Sequence, residues 1–188
     1  IYAADLEGLT FLSASKRDIA SLTGLEYCLN LDRLALNNNR IINVSVLASL
    51  TSLTELWLHD NWISDLSPLS SLTGLTQLYL HDNRIEDVSP LASLGNLTCL
   101  SLHNNQIKDV SSLSALNKLA VLILEAGQTT DISALASLPD LTVLWAVTFP
   151  DPALEEVIRE KIDRPEGPIY TIELQELASL SLSRREIS

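Results

Sequence analysis

The only histidines in this sequence, His59, His81 and His103, each sit inside nearly the same phrase: LHDN, LHDN and LHNN. Imidazoles beside carboxylates, here Asp60 and Asp82, form a donor set for a cation of the zinc class. Their spacing is 22 residues, far too long to share a face of one helix or strand. Such residues meet only if the chain returns to the same place once per period.

The chain shows that period. Residues 51–116 write out as three lines of 22: TSLTELWLHDNWISDLSPLSSL, TGLTQLYLHDNRIEDVSPLASL and GNLTCLSLHNNQIKDVSSLSAL. A fixed period of this length with L-x-x-L-x-L-x-x-N-x-I is the signature of a leucine-rich-repeat solenoid. Leu56 and Leu58 stand two apart, so on a strand both face one side. No single line can bury its leucines, but stacked lines can, each Leu against its counterpart one coil away. Asn61, Asn83 and Asn105 recur in register and are expected to form a buried ladder of backbone hydrogen bonds. Ser67-Pro68 and Ser89-Pro90 read as an N-cap and first helical residue of short outer turns. Asp65, Asp87 and Asp109 are expected to add charge or caps there.

Counting each line from its first Leu gives starts at Leu9, Leu31, Leu53, Leu75, Leu97, Leu119 and Leu141. The first line is degenerate, with Ala14 for a ladder Leu and Arg17 for the Asn. The sixth carries Gly127 where Asn belongs and Thr129 where Ile belongs. This register predicts which side chains face solvent on the inner wall. One column runs Arg33, Glu55, Gln77, Cys99, Val121, Val143. The next is Ala35, Trp57, Tyr79, Ser101, Ile123, Trp145. A third is Asn37, His59, His81, His103, Glu125, Val147.

The totals bound the rest. Hydrophobic residues make up 46% of the 188 residues but aromatics only 5%, so the interior is aliphatic. A net charge of −12 disfavours nucleic acid and anionic membranes, which are bound through clustered Lys and Arg. No apolar run is long enough to span a bilayer. Cys28 and Cys99 fall about three coils apart, beyond disulfide reach. Met is absent, so the sequence reads as part of a longer chain.

After Phe149 the composition changes. Asp151-Pro152 starts a helix whose Leu154, Val157, Ile158 and Ile162 form one apolar face. Pro165, Gly167 and Pro168 break it, and Thr171 can cap a second short helix. Residues 169–188 align without gaps on residues 1–20, at an offset of 168, with 9 of 20 identical. The expected organisation is therefore the C-terminal half of a cap plus the start of the first coil over 1–20, repeats over 21–148, and a helical cap over 149–188 leading into a following super-repeat.

Residues 21–148 resemble the internalin-type, 22-residue leucine-rich repeats of bacteria. The stretch from Phe149 resembles the helical cap that precedes such repeats. The resemblance implies an α/β fold: a right-handed solenoid with a parallel sheet on its concave face, 3₁₀ or short helical turns on its convex face, and helical caps. It also implies a secreted or cell-surface setting.

Function is expected on the inner wall. Trp57, His59, Tyr79, His81 and His103, with Arg33, Glu55 and Gln77, are the candidate partner-binding residues, since aromatics and Arg are enriched at binding hot spots. A protein partner comes first and a glycan second. Val121, Ile123, Val143, Trp145 and Val147 form a candidate apolar interface, covered either by the helix at 152–162 or by a partner. No metal and no cofactor is expected, because neighbours in a flat row diverge. No catalysis is expected either, since phosphate loops, C-x-x-C and G-x-S-x-G are missing and a flat row offers no pocket. The expected role is a non-catalytic recognition or adhesion module. The alternative is a structural unit of a tandem array that associates head to tail into an extracellular fibre or filament.

Overall fold

A chain that returns every 22 residues can hydrogen-bond to itself one coil away, and it does. The computed structural model describes residues 6, 8–127, 131–164, 167–171, 173 and 174. Strands β1 (Phe11–Ser13), β2 (Arg33–Ala35), β3 (Glu55–Trp57), β4 (Gln77–Tyr79), β5 (Cys99–Ser101), β6 (Val121–Glu125) and β7 (Thr142–Val147) pair in chain order, all in parallel. Helix α1 (Pro152–Ile162) follows, and β8 (Ile169–Tyr170) closes the sheet antiparallel to β7. Through β6 the register is an unbroken row, Leu12, Leu34, Leu56, Leu78, Leu100, Leu122. From Leu34 onward each of these leucines is fully buried, in one continuous aliphatic core.

The opposite side of each coil is a 3₁₀ turn: Ser45–Ser49, Ser67–Ser71, Ser89–Ser93, Ser111–Ala115 and Ser133–Ser137. Each drops one Leu into the core (Leu47, Leu69, Leu91, Leu113, Leu135). The caps differ from the Ser-Pro expectation. Ser67 and Ser89 are themselves the first turn residues, and Leu66 and Val88 hold the N-cap position without a side-chain bond. The capping acceptor lies one residue earlier. Asp65, Asp87, Asp109 and Asp131 each accept, at 2.8 Å, the N–H two residues on. An Asp in that turn position satisfies a donor that the helix start would otherwise orphan.

The Asn ladder binds neighbouring coils together. Asn61 donates to Leu36 O and Leu58 O, both at 3.0 Å, and its Oδ1 accepts Ile41 N–H at 2.9 Å. Asn83 repeats the arrangement one coil later on Leu58 O, Leu80 O and Ile63 N–H. Asn39 extends it backward, its Oδ1 accepting from both Arg17 and Ile19. The degenerate first line is thereby held by the Asn of the second.

One expectation about the end of the stack is overturned. The step from β6 to β7 is 21 residues: Leu122 pairs with Val143, Ile123 with Leu144, and Leu124 with Trp145. The cause is Pro139. A residue before proline is pushed out of the helical region toward extended ψ. Leu138 accordingly has ψ 116°, where its counterparts Leu50, Leu72, Leu94 and Leu116 have 55°, 53°, 56° and 70°. In the other coils a hydrogen bond closes this bend, as from Leu119 N–H to Leu116 O at 2.9 Å. A one-residue slip reverses every side chain. Val143 and Trp145, expected on the inner wall, pack against the core cluster instead. Val147, two residues further along the same side, pairs with Ile169. Leu144 and Ala146 take the inner-wall places.

Candidate functional site

The inner wall is built from the positions between ladder leucines, and the pairing places them in the expected rows as far as β6. Trp57 lies against Tyr79 with ring planes 1° apart and centroids at 6.0 Å. His59, His81 and His103 stack in a second row, centroids 4.3 and 4.4 Å apart. Arg33, Glu55 and Gln77 fill the first column. That column begins one coil earlier than the sequence suggested, at Phe11, which pairs with Arg33 and is 47% exposed. The Arg33 guanidinium sits 5.3 Å from the Phe11 ring centre. The signal was present, since Phe11 precedes the first-line Leu12, but the degeneracy of that line hid it. Trp62 and Arg84, one step off the wall, form a second cation–π pair at 5.4 Å.

Asn38, Asp60, Asp82 and Asn104 share a left-handed backbone, φ between 51° and 55° for the two Asn and 54° and 56° for the two Asp. Asn and Asp tolerate that region better than other non-glycine residues. The backbone therefore accounts for the Asn-or-Asp choice in this column.

The chain itself occupies part of the wall. Asp151 caps α1 by accepting the N–H groups of Ala153 and Leu154, and a left-handed Asp163 ends the helix. The chain then turns so that Ile169 and Tyr170 pair with Val147 and Ala146. A cavity of about 310 Å³ lies between wall and cap, with His81, Asp82 and His103 on one side and Glu155, Arg159 and Ile169 on the other. Inner-wall positions beneath the cap are buried: Ser101 at 1%, Ile123 at 7% and His103 at 7% exposed. Ile123, predicted to be an apolar contact, and His103, predicted to meet a partner, are both closed off here. His59, Trp57, Glu55, Gln77, Tyr79 and His81 keep part of their surface, and Arg33 is exposed.

Burial sets the electrostatics. The imidazole of His81 is pushed down to about 3, first by desolvation and then by His103 and His59. His59 and His103 are lowered for the same leading reason, with Asp82 opposing in both cases and Glu125 opposing at His103. The Tyr79 phenol is pushed up to about 12, first by burial and next by Cys99. Ser101 Oγ lies 3.1 Å from Nδ1 of both His81 and His103. His59 has no such hydroxyl: Tyr79 takes the equivalent place and gives its O–H to Gln77 at 2.9 Å. Among the described residues, His59 Nδ1 is the buried side-chain polar atom left without a hydrogen bond.

These shifts carry a sign. The unfolded histidines titrate near 6.5 and folded His81 near 3, so between those values the unfolded chain binds the extra proton. Stability is present above pH 6.5 and declines on acidification toward 3, by up to about 1.4 kcal/mol per pH unit for such a site. Urea midpoints taken from neutral pH down to about pH 4.5 should fall steadily, and His81→Asn should flatten the slope. A slope equal in that variant would contradict the assignment.

A stack of parallel strands backed by 3₁₀ turns, with an Asn ladder at the exits of β2 to β5, defines a leucine-rich-repeat solenoid. Comparison with known proteins agrees. The family described as leucine-rich repeats (2 copies) matches residues 51–93 and 95–137. An internalin, InlF, of Listeria monocytogenes superposes with TM-score 0.60 at 31% identity, over 78% of this chain and 50% of its own. Internalin C2 of the same organism superposes with TM-score 0.58 at 34% identity, over 81% and 79% respectively. This chain belongs to the internalin-type bacterial leucine-rich-repeat family, and it spans half the length of the first of these relatives. No curated protein matches it by sequence. Among the described residues no helix is long and apolar enough to cross a membrane.

Proposed function

We propose that the chain is a non-catalytic recognition module that holds a protein partner on the outer part of its inner wall, from β1 to β3 and the adjoining face of Tyr79. The observation that carries this reading is the Trp57–Tyr79 stack standing beside the Arg33–Phe11 pair, with no segment of the described chain closed over Trp57 or Phe11. Aromatic and Arg side chains on a rigid sheet lose little freedom on binding, which is why they dominate interface hot spots. The wall is a broad row rather than an enclosed cleft, a shape suited to a protein surface more than to a small molecule. A glycan would use the same Trp57 face. The family resemblance supports a secreted or cell-surface setting.

Trp57→Ala combined with Tyr79→Ala should abolish partner capture, since hot-spot truncations of this kind cost roughly 2 kcal/mol or more each. The circular dichroism melt should stay close to that of the unaltered chain. Undiminished affinity in a folded double variant would sink the proposal.

A second reading rests on the echo of residues 1–20 in 169–188: super-repeats in tandem, each cap sealing one stack and opening the next. Micrographs of the parent protein should then show filaments with a regular repeat, and isolated globules would speak against it.

A further inference from the structure

The flat row read from the sequence left no place for a metal ion, but the cap changes the surroundings of its inner end. We propose that His81, Asp82 and His103 bind a divalent transition-metal ion of the zinc class at the seam between the inner wall and the C-terminal cap. One ligand atom from each lies within 4.8 Å of the others. Imidazole nitrogen and carboxylate oxygen are the donors such an ion takes, at about 2.0–2.2 Å. The two stacked rings must therefore splay from their 11° alignment for both nitrogens to reach one ion.

Ser101 provides the orientation a site of this kind needs. Its Oγ lies 3.1 Å from Nδ1 of each ring, leaving Nε2 of each as the free donor. Without an ion, the hydroxyl donates to one Nδ1 and accepts from the other, so the two rings hold opposite tautomers. With an ion on both Nε2 atoms, both Nδ1 carry hydrogen, and the two lone pairs of Ser101 Oγ accept both. A hydroxyl placed to serve either state is the outer partner that fixes ligand histidines. Burial also keeps His81 and His103 neutral near pH 7, the form that binds metal.

The cavity has room and the right sign. Its volume is about 310 Å³, and Glu155 and Arg159 face the cluster from α1. Arg159 is already engaged by Glu155, Nη2 to Oε1 at 2.7 Å. Asp82 is bonded to Asn104 Nδ2, and Glu125 accepts the Asn104 N–H at 3.1 Å, so carboxylates outnumber the one guanidinium. A second triad, His59, Asp60 and His81, shares His81. There only His81 has the orienting hydroxyl, and His59 Nδ1 has no partner, so the ion is assigned to the inner triad.

The test is titration of zinc chloride into the full chain by calorimetry, with cobalt(II) absorbance as the spectroscopic readout. One ion per chain is expected. His81→Asn and His103→Asn should each weaken binding by about tenfold or more and remove the cobalt bands, while His59→Asn should leave both unchanged. Asn is the natural residue of this column at position 37, and the melts of all three variants check the fold. Absence of saturable binding would overturn the proposal, as would affinity unchanged in His81→Asn or in His103→Asn, which would mark scattered surface carboxylates. Binding weakened in His59→Asn but unchanged in His103→Asn would overturn it in favour of the outer triad.

Discussion

Leu78→Ala is expected to lower the unfolding free energy by about 2–5 kcal/mol, the range for a fully buried leucine. Leu78 is 0% exposed and pairs with Leu56 on one side and Leu100 on the other. The cavity cannot collapse easily, because both neighbours belong to strands locked by backbone hydrogen bonds one coil away. The loss should be at the upper end of the range for that reason. Urea denaturation followed by circular dichroism measures it directly. A change below about 0.5 kcal/mol, typical of a surface site, would mean that Leu78 does not face the core.

Asn83→Ala is expected to cost a comparable amount, about 3 kcal/mol, by a different route. The side chain accepts from Ile63 N–H at 2.9 Å and donates to Leu58 O and Leu80 O at 3.0 Å each. Its removal does not orphan the two carbonyls, since Leu58 O keeps Asn61 and Leu80 O keeps Asn105. The N–H of Ile63 loses its acceptor in a buried setting, which is the larger penalty. Asn83→Asp tests this division: it keeps an acceptor for Ile63 but removes both donors, and places a charge among carbonyls. It should be at least as damaging as Asn83→Ala. If both variants melt with the unaltered chain, the ladder is not a structural element. In a solenoid, stability is the sum of coil and nearest-neighbour terms, so a loss at either residue weakens two interfaces at once.

Much of this molecule was legible because one residue type at one spacing has one physical use. Leucines two apart, returning every 22 residues, can be buried only by stacking, so the wall and its columns followed directly. The Trp57–Tyr79 contact and the histidine row are consequences of that alignment. What escaped was local chemistry that breaks the period. Leu138-Pro139 is visible in the sequence, and its restriction of ψ is enough to drop one residue and reverse Val143 and Trp145. Ser67 and Ser89, read as N-caps, are the first turn residues, and their own N–H groups are the ones capped, by Asp65 and Asp87, the residues expected to add charge or caps there. The cap was harder to read. The helix itself was plain, from Asp151-Pro152 and its apolar spacing. Its position over Ser101, His103 and Ile123 is a tertiary matter that no local pattern encodes. The second short helix expected after Thr171, and the super-repeat echo through residue 188, lie for the most part outside the described residues.

The covered inner end has a consequence for recognition. Half of the wall meets the chain's own cap, so a partner approaching the three histidines finds His59 and part of His81 but not His103. Under the proposed reading, binding energy would come from the β1–β3 side, where Phe11 and Arg33 are exposed and Trp57 keeps part of its surface.

Labelling of the three histidines by diethyl pyrocarbonate, read residue by residue in a mass spectrometer, addresses that arrangement most directly. The reagent acylates neutral imidazole, and all three rings are neutral near pH 7 by virtue of their lowered values. With one row on one wall and the cap across its inner end, His59 should react first, His81 later and His103, 7% exposed, last. Equal rates at His59 and His103 would contradict it, because they would place the cap elsewhere and leave the whole wall open.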